Sequence, residues 1–364
     1  MKMSPTLGRY LGLIYATNLV SMVGILWSII YMFDTLELMR RAGTKHVPLG
    51  VVLKMGLLQM PSTGLAIFSF AILLSAIYTF WRLNRRHELV VVRSAGFSVW
   101  QFLSPIVGVA VITGFFIITV ANPFSAVMLS RFKTLEAKYL THRRSEIALF
   151  DEGLWLRQWQ DDDSYIILHA GNVRMPDWEL RGIMALYFDK NDTFIKRIDA
   201  QAATLSDKEW RFEKAVTNAP NAAVKKQEIL TLPTDLTQRE IEESFAAPDT
   251  MSVWRLPAFI ATVESTGFDA TRLKIHFQSL LAQPFLYAAM ILLAAAVALR
   301  PPRFRSTLTL VVMGVGVGFT AFFVSSFLQA LGSSHQIPVF LAAWSPSVVM
   351  LLLGVAAMLG LEDG

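Results

Sequence analysis

The sequence contains two short runs that resemble a catalytic or a nucleotide-binding motif, but neither motif is complete. His87-Glu88 begins like the zinc-protease pattern HExxH, but position 91 is Val, so the second histidine ligand is absent. The run MGVGVG at 313–318 has dinucleotide-like glycine spacing, yet it lies in an uncharged block with no strand before it, and no GxxxxGK[ST] phosphate loop occurs. The chain also has no cysteine, which excludes disulfides and thiolate metal sites. We therefore predict a non-catalytic chain without a cofactor or metal.

Cations near the ends of two apolar segments indicate a binding chemistry instead. Asp34, Glu37 and Arg41 follow helical spacing, which predicts a Glu37–Arg41 ion pair worth about 0.2–0.5 kcal/mol, with Arg40 on another face. Guanidinium groups bind phosphate and carboxylate through paired donors. The candidate residues for a polyanionic ligand are Arg40, Arg41, Lys45, Arg131 and Lys133. Interfacial anchoring to ordinary anionic lipid is the competing interpretation.

A second charged segment, at 82–100, predicts a short helix between two apolar segments. Asn84 can cap a helix over residues 85–95, and Gly96 can end it in a left-handed conformation. Apolar and charged side chains share one face of this helix, as in the helices by which membrane transporters dock on an ATPase. The candidate coupling residues are Arg85, Arg86, Glu88, Leu89 and Val92. The alternative is a solvated connector whose arginines only follow the positive-inside rule.

Long uncharged blocks must position these residues. No Lys, Arg, Asp or Glu occurs at 306–361, and similar blocks cover 10–33, 55–81, 94–130 and 275–299. Each exceeds the roughly 20 apolar residues needed to cross about 30 Å of hydrocarbon, and the longest suffices for two spans around a turn at 332–336. The first block is too long for the core of a cleavable signal peptide. Since only 17% of the residues are charged and 54% are hydrophobic, we predict six transmembrane helices.

The distribution of basic residues predicts the orientation of these helices. Three clusters fall on one side of the six spans: Lys2 and Arg9; Arg82, Arg85, Arg86 and Arg93; Arg300, Arg303 and Arg305. The positive-inside rule places this side, with both termini, in the cytoplasm and the soluble region 131–274 outside. This placement accounts for the net charge of +5 without nucleic acid as a partner.

The soluble region between the third and fourth spans is predicted to be all-β. Short runs of β-branched and aromatic residues at 165–169, 184–188, 194–198 and 210–213 alternate with turn-forming residues at 161–164, 189–192 and 218–221. Many short strands at this spacing favour an antiparallel sandwich or jelly roll, whose edges can accept a strand from another protein. A domain that only stabilises the membrane part is the alternative. A helix over 256–271 is expected to lead back to the membrane.

Together these patterns predict an α-helical polytopic membrane protein with an inserted, jelly-roll-like domain. Residues 1–130 would hold helices 1–3, residues 131–255 the β domain, and residues 256–364 the connecting helix and helices 4–6. Gly314 and Gly318 share a helix face that permits close packing, either against the chain's own helices or against a partner subunit. Pro105 and Pro284 predict kinks within spans.

The whole length resembles the YjgP/YjgQ family, the permeases LptF and LptG of the lipopolysaccharide exporter. The resemblance is strongest in RRHELVVVRSAGFSVWQF after helix 2, in FDTLELMRRAG at 33–43, and at the Pro123 exit of helix 3. The form HELVVVRSAGFS is closer to the LptG branch than to the LptF branch. Tyr31 is a departure, because some relatives are expected to have a further basic residue there.

The resemblance implies a heterodimer with an LptF-like paralogue in the bacterial inner membrane, carrying two LptB-like ATPase subunits that bind the ATP. It also implies transfer of lipopolysaccharide to LptC-like and LptA-like bridge proteins in the periplasm. Glu88 would meet a basic residue of the ATPase, and Arg40 and Arg41, with Arg131 and Lys133 less securely matched, would contact the lipid headgroup. The acyl chains need an apolar cavity, for which the candidates are Leu26, Ile30, Phe68, Phe70, Phe319 and Phe323. An exporter of another anionic lipid, or a scaffold that binds periplasmic partners without transport, remains an alternative.

Overall fold

The computed structural model describes residues 5–43, 47–141, 145–150, 153–161, 164–174, 179–206, 209–220, 222–234, 248–265, 268–299 and 307–362. They form two compact units. The first comprises Met1–Glu136 with Lys274–Gly364, and the second comprises Ala137–Leu273.

The first unit is a helical bundle. Its helices are α1 (Pro5–Ala42), α2 (Leu49–Ala66), α3 (Phe68–Arg85), α4 (Glu88–Ser94), α5 (Val99–Phe116), α6 (Asn122–Glu136), α8 (Thr271–Ala298), α9 (Thr307–Ser333) and α10 (Val339–Glu362), while α7 (Leu256–Ser265) belongs to the second unit. Among the described residues, five helical segments are long and apolar enough to cross a membrane, and the bent pair α2 and α3 makes a sixth when it is counted as one span. The chain is thus a polytopic membrane protein, as predicted.

The second span is broken, which the sequence did not indicate. Helices α2 and α3 meet at Ile67 with a bend of 65°, although the prolines predicted to kink spans were Pro105 and Pro284. The two halves pack on different partners, because α2 lies against α1 and α6 while α3 lies against α1 and α9. Such a break frees backbone groups that other protein groups or water must satisfy within a membrane.

The third span is longer than the uncharged block that predicted it. Residues Ile117–Ala121 form one π-helical turn, and α6 then continues through Glu136, so residues 131–136 are helical. Pro123 lacks an N–H and its ring crowds the carbonyl of residue 119, which explains the wider turn just before it. The helix consequently carries Arg131 and Lys133 on its last two turns.

The core of the bundle lies between α1, α3, α5, α8 and α10. Its largest fully buried side chains include Tyr15, Phe80, Phe102 and Tyr287. Buried polar contacts join some of these helices. The amide of Asn18 in α1 donates to the hydroxyl of Thr79 in α3 at 2.9 Å, and the hydroxyl of Ser347 in α10 donates to the carbonyl of Ala282 in α8 at 3.2 Å. In lipid, where apolar surface alone drives little helix association, such bonds and close packing hold helices together.

Helix α9 approaches α3 through Gly314 and Gly318. A Cβ atom at Gly314 would meet the side chain of Ile77, and one at Gly318 would lie 2.8 Å from the Phe70 ring. Of the two interpretations of this glycine pair, the structure places both residues against the chain's own α3 rather than at a surface for another subunit.

The second unit contains one antiparallel sheet of seven described strands in chain order. These are β1 (Ser145–Phe150), β2 (Gly153–Asp161), β3 (Ser164–Arg174), β4 (Glu179–Asp189), β5 (Phe194–Ser206), β6 (Glu209–Asn218) and β7 (Lys225–Pro233). The four runs predicted as strands lie in β3 to β6, and the turn at 189–192 joins β4 to β5. The helix predicted over 256–271 is α7, which ends at Ser265.

The sheet folds over on itself. The hydroxyl of Thr234, directly after β7, donates to the side-chain oxygen of Gln158 in β2 at 2.8 Å, and both residues are buried. In a flat sheet these strands would lie five spacings apart, about 24 Å at 4.8 Å each. The meander therefore closes like a sandwich around the alternating buried residues of β3 to β6, which agrees with the predicted all-β inserted domain. The described strands follow chain order, whereas a jelly roll has Greek-key crossovers.

The glycine contact between α9 and α3 yields a test of this packing. We expect Gly318→Leu to lower the free energy of unfolding by about 1–3 kcal/mol, because overpacking must displace Phe70 and Leu73. Gly316→Leu is the matched control on the same helix, since a Cβ there meets no atom within 4 Å. Thermal unfolding of the detergent-solubilised chain measures both variants, and equal midpoints would contradict the packing.

Candidate functional site

The described candidates for headgroup binding and for ATPase coupling lie at the two ends of the bundle. Successive spans alternate in direction, so α1, α6 and α9 end on the side of the bundle on which α2, α8 and α10 begin. We call this side the Glu136 end. Helix α3 ends at the opposite side, where α4 lies and α5 begins, and we call that the Glu88 end.

At the Glu88 end the short helix starts later than predicted. Helix α3 continues to Arg85, so Asn84 lies within it and does not cap a new helix. The chain turns at His87, whose φ of 57° is left-handed, and α4 then runs from Glu88 to Ser94. Arg85 and Arg86 therefore belong to the end of α3, where the guanidinium of Arg85 covers the Trp81 ring at 5.0 Å. The predicted left-handed glycine is confirmed, because Gly96 has a φ of 81°.

The carboxylate of Glu88 is held from two sides. The phenol of Tyr10 in α1 donates to Glu88 Oε2 at 3.1 Å, and Arg86 Nη1 lies 4.0 Å from Oε1. Glu88 remains 28% exposed, in a groove of about 360 Å³ between α1, α4 and α5. Tyr10 was missed by the sequence analysis, because 78 positions separate it from Glu88 and no local pattern links them.

The apolar residues of α4 divide into two sets. Leu89 is buried in the core of the bundle and Val92 packs against it. Val90 and Val91 face outward instead, with 56% and 64% of their surface exposed. Leu89 and Val92 thus anchor α4 to its own chain, while the exposed pair forms the apolar surface available to another molecule. The predicted coupling residues included the anchoring residues Leu89 and Val92 and not the exposed valines. A helix of seven residues shows too little periodicity to tell its buried face from its exposed face.

Helix α5 begins with a capping box that holds the other side of this loop. The Ser98 hydroxyl accepts from the Gln101 N–H at 3.3 Å, and the Ser98 N–H donates to the Gln101 side chain at 3.2 Å. The S-x-x-Q spacing at 98–101 is a sequence signal for such a cap, and it marks the start of α5.

At the Glu136 end, Arg40 pairs with Glu37 through two hydrogen bonds of 2.7 and 2.8 Å. The predicted Glu37–Arg41 pair is therefore wrong, because the i,i+3 partner takes the carboxylate. The Arg40 side chain is 77% exposed, and an exposed pair of this kind contributes only about 0.2–1 kcal/mol. Its guanidinium can therefore exchange this partner for another anion at little cost.

Arg41 has a different role, because it reaches across to α6. Its Nη2 lies 2.8 Å from one oxygen of Glu136, and Lys133 Nζ lies 2.9 Å from the other. Only 13% of the Glu136 side chain is exposed. This carboxylate brings two of the predicted cations together and links α1 to α6. Sequence reasoning missed Glu136, which lies 95 positions from Arg41.

The remaining cations are less constrained. Arg131 in α6 is exposed and forms no ion pair with a described residue. The same holds for Lys54, near the start of α2, which was not among the candidate residues. Lys45 lies outside the described residues. Tyr31, where a basic residue was expected in some relatives, donates its hydroxyl to the Leu53 carbonyl at 3.5 Å.

The six predicted cavity residues do not share one environment. Phe68 is buried against Tyr287, with ring centroids 5.8 Å apart, and Phe70 packs against Phe322. Leu26 and Ile30 are half-buried on α1. Phe319 and Phe323 are exposed on α9, where Phe327 extends the same apolar face.

Comparison with known proteins covers nearly the whole chain. Residues 9–360 match the family described as lipopolysaccharide export system permease LptF/LptG. The chain is 26% identical over 367 residues to the lipopolysaccharide export system permease protein LptG of Haemophilus influenzae, with 96% of each chain covered. It is 24% identical over 360 residues to the LptG protein of Escherichia coli K12, again with 96% of each covered. Both relatives carry the name of the branch that the loop sequence resembles. This chain belongs to the LptF/LptG family of lipopolysaccharide export permeases.

Proposed function

We propose that this chain is the permease subunit of an ATP-driven exporter that extracts lipopolysaccharide from the inner membrane and passes it to a periplasmic protein bridge. The family and the names of its relatives support the lipid. The observation that carries the proposal is α1 itself, one unbroken helix whose two ends contact Glu88 and Glu136.

The Glu88 end faces the cytoplasm in this proposal. Arg82, Arg85 and Arg86 lie there, as the positive-inside rule favours, while the cations of the Glu136 end serve the ligand. The β domain, which follows α6 and precedes α8 in the chain, is then periplasmic.

The exposed valines of α4 provide the surface on which an ATPase subunit docks. Val90 and Val91 are apolar and exposed at an end of the bundle rich in charge, and Glu88 beside them suits a basic residue of the partner. Because Tyr10 bonds to Glu88, a displacement of α4 is passed to α1. Tyr10 and Arg41 are about 47 Å apart along that helix at 1.5 Å per residue.

The headgroup of lipopolysaccharide is phosphorylated, and the Glu136 end offers cations to bind it. Arg40 exchanges its exposed carboxylate partner for a phosphate, and Arg131 and Lys54 add donors that have no ion-pair partner among the described residues. Arg41 and Lys133 stay on Glu136 and hold α1 against α6. The ligand-binding and the structural arginine are thus adjacent in sequence but distinct in role.

The acyl chains require apolar surface, because exposing them to water costs about 25 cal/mol per Å². The exposed apolar faces of the bundle include those of α1 and α9. They include Val20, Ile25, Ile29, Phe319, Phe323 and Phe327. A second permease, of the LptF type, would complete the cavity across these faces. Strand addition at an edge of the sheet, β1 or β7, would join the β domain to the bridge proteins of the LptC and LptA type.

Docking through α4 is tested by co-purification. We expect Val91→Asp to reduce the ATPase that co-purifies with the chain by at least about tenfold, because a charge enters the apolar contact. Gln201→Asp is the control, since it adds the same charge to an exposed position in β5. If the wild-type chain retained no ATPase, it would be a scaffold and the exporter proposal would fail. Equal retention by Val91→Asp would reject α4 as the docking surface.

The bond from Tyr10 predicts a coupling defect without loss of assembly. Tyr10→Phe should retain the ATPase but lower ATP-driven lipid release from proteoliposomes about two- to tenfold, the equivalent of one hydrogen bond. Tyr78→Phe is the matched control, because Tyr78 is also exposed and its ring only stacks on Trp81. Wild-type release by Tyr10→Phe would show that α1 takes no signal from Glu88.

Replacing Arg40 and replacing Arg41 should have different effects on lipid stimulation and on stability. We expect Arg40→Ala to weaken lipopolysaccharide-stimulated ATP hydrolysis while changing the free energy of unfolding by less than about 0.5 kcal/mol. Arg41→Ala should lower the unfolding midpoint, because Glu136 loses its link to α1. Arg211→Ala, at an exposed arginine of β6, serves as the control for both assays. Unaltered lipid stimulation in Arg40→Ala would leave that residue as an interfacial anchor only.

A further inference from the structure

A partly open, polar cavity lies between helices of the bundle, away from both charged ends. Its volume is about 280 Å³, and it is bordered by the α2–α3 bend, α8, α9 and α10, with an opening at the surface of the bundle. Ser279 lies about 12 Å from the start of α8, and Ser325 about 12 Å from the end of α9, at 1.5 Å per residue. The cavity therefore lies within the membrane-spanning part, in the half nearer the Glu136 end.

Half of the side chains that line the cavity can form hydrogen bonds, and these carry no fixed charge. They include Ser69, His276, Ser279, Gln283, Ser325 and Gln329, and no Asp, Glu, Lys or Arg is among its described lining residues. This composition differs from the cationic Glu136 end. It suits a neutral ligand that both donates and accepts hydrogen bonds, and it does not suit a phosphate.

Two of these side chains have a buried polar atom that needs a partner. The hydroxyl oxygen of Ser279 and the amide oxygen of Gln283 are hidden from the surface, and neither forms a hydrogen bond with a described residue. They lie four positions apart on α8, hence on the same helix face. Within a membrane no bulk solvent satisfies such atoms, and the cavity that these two residues line is the adjoining space from which a partner can reach them.

Three helix irregularities lie in or next to the lining of this cavity. Pro284 has no N–H, so the carbonyl of Leu280, a lining residue, loses its usual helical partner. Pro346 lies inside α10 beside the cavity and removes one backbone N–H from that helix. The bend at Ile67 lies next to Leu65 and Ala66, which also line the cavity. Irregular backbone occurs at membrane depth where it lines a water-containing cavity or is buried in protein.

We propose that this cavity is a binding site for water molecules, which hydrogen-bond to Ser279, Gln283 and the freed carbonyl of Leu280. A volume of about 280 Å³ accommodates several waters, each of which occupies about 30 Å³ in the liquid. The water stabilises the bend between α2 and α3 where a dry apolar contact could not. This site requires neither the lipid nor the ATPase of the proposed function.

The chain has no cysteine, so single cysteines can report on water inside it. Ser279→Cys in the full-length chain, assembled in lipid nanodiscs, is treated with a methanethiosulfonate ethylammonium reagent and followed by the intact mass of this chain. Because only the hydrated thiolate reacts, we expect Ser279→Cys to react at least about tenfold faster than the two controls. Ala289→Cys lies in the dry core of the same helix, and Leu281→Cys faces outward at nearly the same depth.

Equal rates for the three cysteines, in chains with wild-type unfolding midpoints, would overturn the proposal. Ser325→Cys, on the opposite wall of the cavity, provides a second measurement that leaves Ser279 intact. Adding Gln283→Leu to this variant should slow its labelling severalfold, because an apolar side chain displaces water. Labelling that Gln283→Leu leaves unchanged would equally reject the site.

Discussion

The absence of water in the membrane interior governs this structure, because each polar group there must find a partner inside the protein. Long helices satisfy most backbone groups, and the Asn18–Thr79 bond satisfies two side chains between helices. Departures from regular helix then require special surroundings. The π turn before Pro123 absorbs one such departure, while Pro346 and residues next to Pro284 and to the bend at Ile67 line one polar cavity. At that cavity, irregular backbone lies beside side chains that can form hydrogen bonds.

Helix α1 connects the two charged ends, and a carboxylate from another helix holds it at each. Glu88 accepts from Tyr10 near the start, and Glu136 pairs with Arg41 near the end. Neither carboxylate is on α1, so the helix is tied to α4 at one end and to α6 at the other. A single rigid element that joins the proposed ATPase-docking surface to the proposed headgroup-binding surface suits the proposed conversion of nucleotide-driven movement into displacement of a lipid.

Much of the fold could be predicted from the sequence, because hydrophobicity is a local property. Six apolar segments, the strand runs in β3 to β6 and the left-handed Gly96 all follow from residue types at short spacing. Two predictions, the helix start at Asn84 and the Glu37–Arg41 ion pair, were wrong because another residue nearby offered a competing local signal. Asn84 is a good cap, yet α3 continued past it and the turn fell at His87. Arg41 has the favoured i,i+4 spacing to Glu37, but Arg40 took that carboxylate and Arg41 found Glu136.

By itself the sequence determined the class of the protein, the number of its spans and the residue types available at each end, since bilayer thickness and strand alternation constrain these directly. Only the tertiary structure decided which side chains meet. Glu136 gathers Arg41 and Lys133, Tyr10 reaches Glu88, and Gly314 and Gly318 face α3 of the same chain. Contacts between residues tens of positions apart depend on how helices are rotated and packed, and the periodicity of one helix leaves its neighbours undetermined.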